Sequence, residues 1–339
     1  MIKMPEISAK EINFKGEPCV ELEAGGYYAL ISPGMGGNVL RLRDIGREID
    51  VFRFYEEEPF ETYKNSPEVY GFPTLYFPNR LSDGVLKTSD AVYCFPCNEG
   101  LPWNNTLHGF LHKRKLSVAR ISTEGGIAAV KLEYVYDEKD EMYKYFPLRF
   151  KLEIIYTLGA KGLEQFYTLR NFSDKMLPFG VGSHTSIKAP FVDGADPDDI
   201  RLYAPIGKRC ELDDRCLPTG RLLPLSDYDK QYLDGNIRAA TTLIDNEMYI
   251  AENGELDGVK FHGVVMEDIK SGKSICYETG EEYGFWIFWN NKGNKGFFCP
   301  EPMTWMIDAP NLGIPAEVSG YREVEPKGSF TAYQRIFTK

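Results

Sequence analysis

Hydrophobic and polar residues alternate with a period of two over much of this chain, which is the pattern of strands with one buried face. Gly, Pro, Asn and Asp interrupt the alternation at intervals of roughly eight to twelve residues, a spacing typical of sandwiches and barrels. Long stretches of helical periodicity are scarce. The pattern therefore predicts an all-β fold, either a sandwich or a barrel.

Two predicted strand pairs are the clearest. The first is a hairpin that joins strands at 150–158 and 163–172 through a turn at 159–162. The second begins with the aromatic run Phe285–Trp289, which predicts a buried strand, and continues through a turn at 290–296 to a return strand at 297–298. Both pairs indicate antiparallel neighbours, because short connections join adjacent antiparallel strands.

The N-terminal region repeats this arrangement, with predicted strands at 19–22, 27–32 and 39–42. The segment 34–37 weakly resembles a phosphate-binding loop, but no helix pattern follows it, so we predict a tight turn. Candidate loops lie at 56–67, 190–199 and 224–235. None has the length or composition of a domain linker, and we therefore predict one domain over residues 1–339.

Charge and composition exclude some classes of function. The net charge is −11, so the chain lacks the basic field that attracts nucleic acid or an anionic membrane. No stretch approaches the roughly 18 apolar residues of a spanning helix, and residues 1–15 contain no apolar signal segment. The seven cysteines favour reduced thiols over a disulfide framework. We expect a cytoplasmic protein.

Histidine is scarce, with four residues, and it is the side chain best suited to proton transfer near neutral pH. His184 follows a predicted strand and has small neighbours in the segment Gly182-Ser183-His184-Thr185. It is therefore a candidate acid or base. The alternative is a structural histidine that only makes a hydrogen bond.

Glu301 lies between Pro300 and Pro302, and Trp305 follows shortly after. The prolines restrict the backbone on both sides of the carboxylate, which indicates a positioned group. The alternative is a surface glutamate in a turn.

Arg80 follows Asn79 and precedes Asp83 by three positions. Its guanidinium carries several donors that suit sugar hydroxyl oxygens. The alternative is a salt bridge between Arg80 and Asp83.

A possible zinc site needs a separate test. Cys94, Cys97, His108 and His112 have the order of a zinc finger, but the spacer between Cys97 and His108 is only ten residues. Gly109 also interrupts the two histidines, which disfavours the helix that such a site requires. We therefore predict that the protein has no metal site.

Four short motifs follow one another along the chain: Asn79-Arg80 with Gly84, His108-Gly109, His184 after a hairpin, and Glu301-Pro302. Their order and spacing resemble those of the aldose 1-epimerase family, the galactose mutarotase-like proteins. Similar stretches lie at 36–37, 171–174 and 326–328, so the resemblance covers nearly the whole chain.

The resemblance implies a large antiparallel β-sandwich, the galactose mutarotase-like supersandwich. It implies an isomerase that interconverts the α and β anomers of a free aldose such as a hexose, with His184 as general acid and Glu301 as general base. It also implies a set of residues that bind sugar oxygens, which we assign to Arg80, His108, Asn79, Asp245 and Trp305.

Mutarotation opens a cyclic hemiacetal by removing a proton from the anomeric hydroxyl and giving another to the ring oxygen. One base and one acid on opposite sides of the sugar suffice. A carboxylate of reference pKa about 4.3 is ionised at neutral pH, and an imidazole of about 6.5 can be kept protonated by acidic surroundings. The partner is then a small-molecule sugar, no cofactor is needed, and we expect a monomer or homodimer.

Three other functions stay open. The family often has Tyr-Phe two residues past the acid histidine, where this chain has Ser186-Ile187, and this departure motivates a non-catalytic sugar sensor on the same fold. A hexose-6-phosphate 1-epimerase would need extra basic residues in the site. A zinc-stabilised β protein of unrelated function is the third.

Overall fold

The structure is a computed structural model that describes residues 7–339. Of the N-terminal stretch 1–15 considered above, residues 1–6 lie outside the described part. Strands account for most of the regular structure. The first ten are β1 (Ser8–Phe14), β2 (Glu17–Ala24), β3 (Tyr27–Ser32), β4 (Asn38–Asp44), β5 (Ile49–Asp50), β6 (Thr74–Leu75), β7 (Arg80–Ser82), β8 (Val85–Lys87), β9 (Val92–Cys94) and β10 (Asn105–Leu107).

The remaining strands include the longest ones of the fold. They begin with β11 (Ser117–Glu124), β12 (Ile127–Tyr136), β13 (Phe150–Gly159), β14 (Gly162–Asn171), β15 (Leu177–Pro178), β16 (Gly182–Ser183), β17 (Ile187–Lys188), β18 (Ile200–Tyr203), β19 (Ile206–Leu212) and β20 (Pro218–Leu223). They end with β21 (Ile237–Arg238), β22 (Glu247–Ala251), β23 (Gly254–Leu256), β24 (Val259–Phe261), β25 (Gly263–Asp268), β26 (Lys273–Thr279), β27 (Phe285–Trp289), β28 (Phe297–Met303), β29 (Glu323–Val324) and β30 (Ser329–Thr338).

Helices are short. The α-helices are α1 (Phe60–Asn65), α2 (Asp227–Leu233) and α3 (Ala316–Ser319). Single 3₁₀ turns lie at Pro33–Met35, Pro67–Val69, Leu111–Lys113, Pro197–Asp199 and Ala309–Asn311.

Three sheets carry the architecture, and their long ladders are antiparallel. The N-terminal sheet has the order β1-β2-β3-β4-β5. The largest sheet has nine strands in the order β11-β12-β13-β14-β30-β26-β25-β18-β21. An eight-stranded sheet has the order β20-β19-β22-β27-β28-β16-β6, with β17 also paired to β28. The predicted all-β antiparallel fold is confirmed.

The nine-stranded and eight-stranded sheets face one another across the main core. Gln334 of β30 reaches across and donates to Ser183 of β16 at 3.1 Å. The buried apolar residues around this contact form one cluster that extends from Val20 to Ile336. All three sheets contribute to this core, which holds the eight-stranded sheet in place.

The predicted strands and turns are confirmed. The hairpin expected at 150–172 is β13 and β14, with Gly159 paired to Gly162 across the turn. The aromatic run forms β27 over its full predicted length and pairs with β28. The segment 34–37 is a tight turn with Gly36 in the left-handed region at φ 64°.

Two of the predicted loops contain helices instead. The acidic segment 56–67 includes α1, because Phe60 and Tyr63 lie one turn apart and cover the outer face of the N-terminal sheet. The segment 224–235 includes α2, which Ser226 begins with a capping box to Asp229. The polar residues that suggested loops are therefore the exposed faces and caps of short helices.

We predict that Gly180→Ala lowers the free energy of unfolding by about 1–3 kcal/mol. An added Cβ at Gly180 would stand 1.9 Å from the ring of Trp305, and that ring is fully buried and stacked on Phe77 at 6.0 Å. Denaturant titration measures the change. Gly284→Ala is the control, because an added Cβ there meets nothing within 4 Å; equal losses in both variants would contradict the packing argument.

Candidate active site

A cavity of about 220 Å³ opens between the eight-stranded sheet and the β7–β10 ribbon. Strand ends and connecting segments supply its walls, which carry both polar and apolar groups. The lining residues are Glu68, Val69, Asn79, Arg80, Leu107, His108, His184, Asn246, Trp289 and Glu301. The structure thus brings together His184, Glu301, Arg80, His108 and Asn79, which are far apart in the sequence.

Strand β28 places Glu301 in the middle of a sheet, not in a surface turn. Glu301 pairs with Ile287 of β27 and is only 3% exposed. On the opposite edge of β28, Thr304 N donates to Val181 O at 2.9 Å. Since strand residues alternate in direction, Pro300 and Pro302 face that same edge and have no N–H to donate.

The missing donors explain why the neighbouring strand is interrupted. β16 ends at Ser183 and β17 begins at Ile187, so His184 lies in the gap opposite the two prolines. Its backbone N–H donates to Pro73 O on the other side, at 3.2 Å. The Pro-Glu-Pro sequence therefore both holds the carboxylate and releases the segment that carries the imidazole.

His184 and Glu301 are in direct contact. Nε2 of His184 lies 3.2 Å from Oε1 of Glu301, while Nδ1 is buried and has no hydrogen-bond partner among residues 7–339. The ring packs edge-on against His108 and Trp289, with centroids at 5.2 and 5.4 Å. The expected acid and base are therefore neighbours in the free protein, whereas we expected them from the sequence on opposite sides of a sugar.

The β7–β10 ribbon positions the other polar residues. Arg80 pairs with Leu107 in the ladder, and His108 N donates to Asn79 O at 2.7 Å. Asn79 and His108 both adopt left-handed backbone conformations, at φ 55° and 63°, which turn the chain at the cavity edge. Gly109 follows, where a Cβ would stand 1.9 Å from Tyr76 O, so only glycine allows this close approach.

Arg80 forms an ion pair, but not with the residue that the sequence suggested. Its Nη2 lies 2.9 Å from Oε1 of Glu99, and both side chains are largely buried. Asp83 instead pairs with Arg215 at 2.9 Å. The alternative of an Arg80–Asp83 salt bridge is therefore wrong, because the left-handed turn at Asp83 (φ 54°) and the 95–104 segment bring different partners to each residue.

Two expected binding residues do not line the cavity. Trp305 is fully buried and stacks between Phe77 and Tyr321, so it is part of the core and not of the cavity lining. Asp245 is exposed, and its carboxylate accepts a hydrogen bond from Asn246 at 3.0 Å. The adjacent Asn246 lines the cavity in its place.

Sequence reasoning missed several lining residues. Trp289 ends the predicted aromatic strand, and its position at the end of β27 could have suggested a cavity residue. Asn246, at φ 53°, immediately follows the chosen aspartate. Glu68 and Val69 lie in a 3₁₀ turn just past the candidate loop 56–67, where no local pattern indicated a site.

Burial controls the protonation of the central pair. It raises the pKa of the Glu301 carboxyl well above its usual range, although Arg80 acts in the opposite direction. It also lowers the pKa of His184 to about 4. Both shifts favour the neutral form, so a single proton shared by the pair rests on the carboxyl and not on the imidazole. The expected protonated imidazole is wrong for the free protein, because the loss of water outweighs the neighbouring carboxyl.

His108 is also neutral in the free protein. Burial lowers its pKa well below the usual value, and His184, His112, Arg80 and Lys113 lower it further. Its Nδ1 is buried with no hydrogen-bond partner among the described residues. A neutral imidazole of this kind can donate from one nitrogen and accept at the other.

The residues of the suspected zinc site do not cluster. Cys94 and Cys97 are exposed, whereas His112 is buried. Within residues 7–339, no group of three or more His, Cys, Asp or Glu could hold a metal ion. All seven cysteines are free.

No helix in the described part of the chain is long and apolar enough to cross a membrane.

A carboxyl group and an imidazole in direct contact at a small cavity on a β-sandwich define an acid–base site. The aldose 1-epimerase family model matches residues 18–335. The chain therefore belongs to the aldose 1-epimerase family, and the resemblance drawn from its motifs is confirmed.

Solved structures support the fold. A galactose mutarotase-like protein from Clostridium acetobutylicum is 32% identical, with 98% of this chain and 99% of that chain covered and a TM-score of 0.95. A galactose 1-epimerase from Lactobacillus acidophilus is 16% identical, with coverage of 98% and 99% and a TM-score of 0.72, and shows the fold alone. The galactose mutarotase-like β-sandwich is therefore confirmed.

A curated relative matches over part of its length. The chromosomal LacX protein of Lactococcus lactis is 23% identical over 196 residues, which are 58% of this chain. The match spans 62% of LacX, which is less than two thirds of that protein.

We predict that Glu301→Gln stabilises the protein more at about pH 8 than at about pH 5. A carboxyl whose pKa is raised on folding gives stability that is fully present below its unfolded pKa of about 4.3 and is lost as pH rises through the folded pKa. Glutamine does not titrate, so the variant escapes this loss. Denaturant titrations at both pH values measure the difference.

Glu138→Gln is the control, because Glu138 forms an exposed ion pair with Arg149 at 3.1 Å. A Glu301→Gln effect that does not change with pH would contradict the burial argument.

Proposed function

We propose that this protein is an aldose 1-epimerase that interconverts the α and β anomers of a free aldose. The 3.2 Å contact between His184 and Glu301 at the cavity is the observation that carries the proposal. Arg80, His108 and Asn79 line the same cavity and would bind the sugar hydroxyls. The proposal draws further support from membership of the aldose 1-epimerase family.

The chemistry needs proton exchange at two oxygens, the anomeric hydroxyl and the ring oxygen, which are both bonded to C1. An acid and a base in contact can reach both from one side. The shared proton first crosses from Glu301 to His184; the carboxylate then takes the hydroxyl proton while the imidazolium protonates the ring oxygen. The C1–O bond of the ring breaks, giving the open aldehyde.

Rotation about the bond between C1 and C2 then presents the other face of the aldehyde. The hydroxyl group that ring opening released attacks C1 and loses its proton to His184. Glu301 returns a proton to the new anomeric oxygen. The pair ends with the one proton that it held at the start. General acid–base help of this kind contributes roughly 10²–10⁴ in rate per group.

Size and charge favour a single neutral sugar. The cavity of about 220 Å³ is smaller than the roughly 300–1,000 Å³ of sites for drug-sized ligands. Arg80 is the one lysine or arginine among its lining residues, all of which are in the described range, and it is already paired with Glu99. A phosphorylated hexose would lack a free cation there.

We also propose that the protein is a cytoplasmic monomer or homodimer. The seven free cysteines support the cytoplasmic part of this proposal.

We predict that His184→Ala and Glu301→Gln each lower the mutarotation rate by about 10²–10⁴. Each variant loses one of the two groups that move protons, and the loss of either stops the exchange. Polarimetry over a panel of free aldoses measures the rates, and circular dichroism checks the fold. Near-normal rates in both folded variants would refute the assignment.

Calorimetry with the same sugars separates an enzyme from a sensor. Sugar binding by the unaltered protein without any rate enhancement would favour the non-catalytic alternative. Faster turnover of glucose 6-phosphate than of glucose would favour the hexose-6-phosphate alternative.

We predict a bell-shaped pH dependence of kcat/KM. The pair is active when it holds one proton, so protonation of His184 removes activity on the acid side, near its pKa of about 4. Ionisation of Glu301 removes activity on the alkaline side, at a pKa well above the usual carboxyl value. The two limits belong to the pair as a whole. An acid limit near 6.5, the usual imidazole value, would contradict the prediction.

A further inference from the structure

Glu99 holds the guanidinium of Arg80 along one edge. Nε of Arg80 lies 3.1 and 2.9 Å from the two carboxylate oxygens of Glu99, and Nη2 lies 2.9 Å from Oε1. The side chains are 10% and 13% exposed, so water competes little for this contact. Paired N–H donors against a carboxylate fix the orientation of an arginine as well as its charge.

Glu99 is itself held in place. Its Oε2 accepts from Nδ2 of Asn105 at 3.0 Å, and its backbone N–H donates to Asn105 O at 3.1 Å. Asn105 is fully buried and pairs with Ser82 in the β7–β10 ladder. The carboxylate is therefore anchored to the same ribbon that carries Arg80.

The other terminal nitrogen of the Arg80 guanidinium, Nη1, faces two residues that line the cavity. Nη1 lies 3.2 Å from Oδ1 of Asn79 and 3.4 Å from Oδ1 of Asn246, and both asparagines line the cavity. These contacts are longer than those to Glu99 and involve neutral amides. Nη1 is thus the part of Arg80 that a substrate hydroxyl can engage.

The same pair decides how much positive charge the cavity offers to a ligand. Among the described lining residues, Arg80 is the one lysine or arginine, and Glu99 compensates it at close range. An anion in the cavity would have to compete with a carboxylate that is already bound to the guanidinium.

We propose that Glu99 is a positioning residue that aims Nη1 of Arg80 at substrate hydroxyls and, by neutralising Arg80, selects neutral sugars against anionic ones. This proposal rests on the proposed function and assigns its specificity to a residue that does not line the cavity. Glu99 touches neither substrate nor reacting atoms; it acts through Arg80.

Glu99→Gln is the main test. We expect KM for a free aldose to rise about tenfold while kcat changes less than about threefold, because Arg80 binds hydroxyls that do not react. We also expect inorganic phosphate, tested as a competitive inhibitor, to bind about tenfold more tightly, since Arg80 then lacks its counter-ion. Kinetics by polarimetry and phosphate titration by calorimetry provide both values.

Two further variants complete the design. Glu138→Gln breaks an exposed Arg–Glu pair and should leave both values unchanged. Glu99→Asp keeps the charge but shortens the side chain, so KM should rise without any gain in phosphate binding. If Glu99→Gln does not fold by circular dichroism, Glu99→Asp decides the positioning role.

Unchanged KM and unchanged phosphate binding in folded Glu99→Gln would overturn the proposal, as would a wild-type KM in Glu99→Asp. If the unaltered protein binds sugar without turning it over, this result would refute the proposed function instead. Sugar and phosphate affinities measured by calorimetry would then still test Glu99, because they do not depend on catalysis.

Discussion

Glu301 and His184 are both buried away from water. In such a place a charge on either group alone would be costly. In contact at 3.2 Å, they can pass one proton between them and keep the site free of net charge. This constraint explains the raised pKa of the carboxyl and the lowered pKa of the imidazole. It also explains why the two groups proposed to move protons lie side by side in one wall of the cavity.

The backbone makes this contact possible. Pro300 and Pro302 deprive one edge of β28 of two donors, and the neighbouring ladder opens at His184 as a result. The opposite sheet then supports the gap: Tyr277 of β26 accepts from Thr185 at 3.0 Å and bonds to Gln334. Fully bonded polar groups in a core fix the geometry of what they touch, so the sandwich interior positions the site.

Local patterns predicted the parts that local physics controls. The hairpin of β13 and β14 follows from alternation and turn residues, and the strand β27 follows from its run of aromatic residues. The helix α1 was missed because its apolar residues, Phe60 and Tyr63, are recognisable only against the sheet that they cover. Trp305 and Asp245 were expected to line the cavity and do not. Closeness along the chain to a lining residue does not show whether a side chain faces the cavity, the core or the solvent.

By itself, the sequence determined the all-β class, the main strands and, through its motif order, the family and the candidate acid–base residues. Only the tertiary structure decided that His184 touches Glu301, that Glu99 and not Asp83 binds Arg80, and that burial places the proton on the carboxyl. Alternation and turns act between neighbours in the chain, and a sequence records them directly. Side-chain contacts and burial from water depend on segments that are distant in the sequence. They arise only once the sheets have packed.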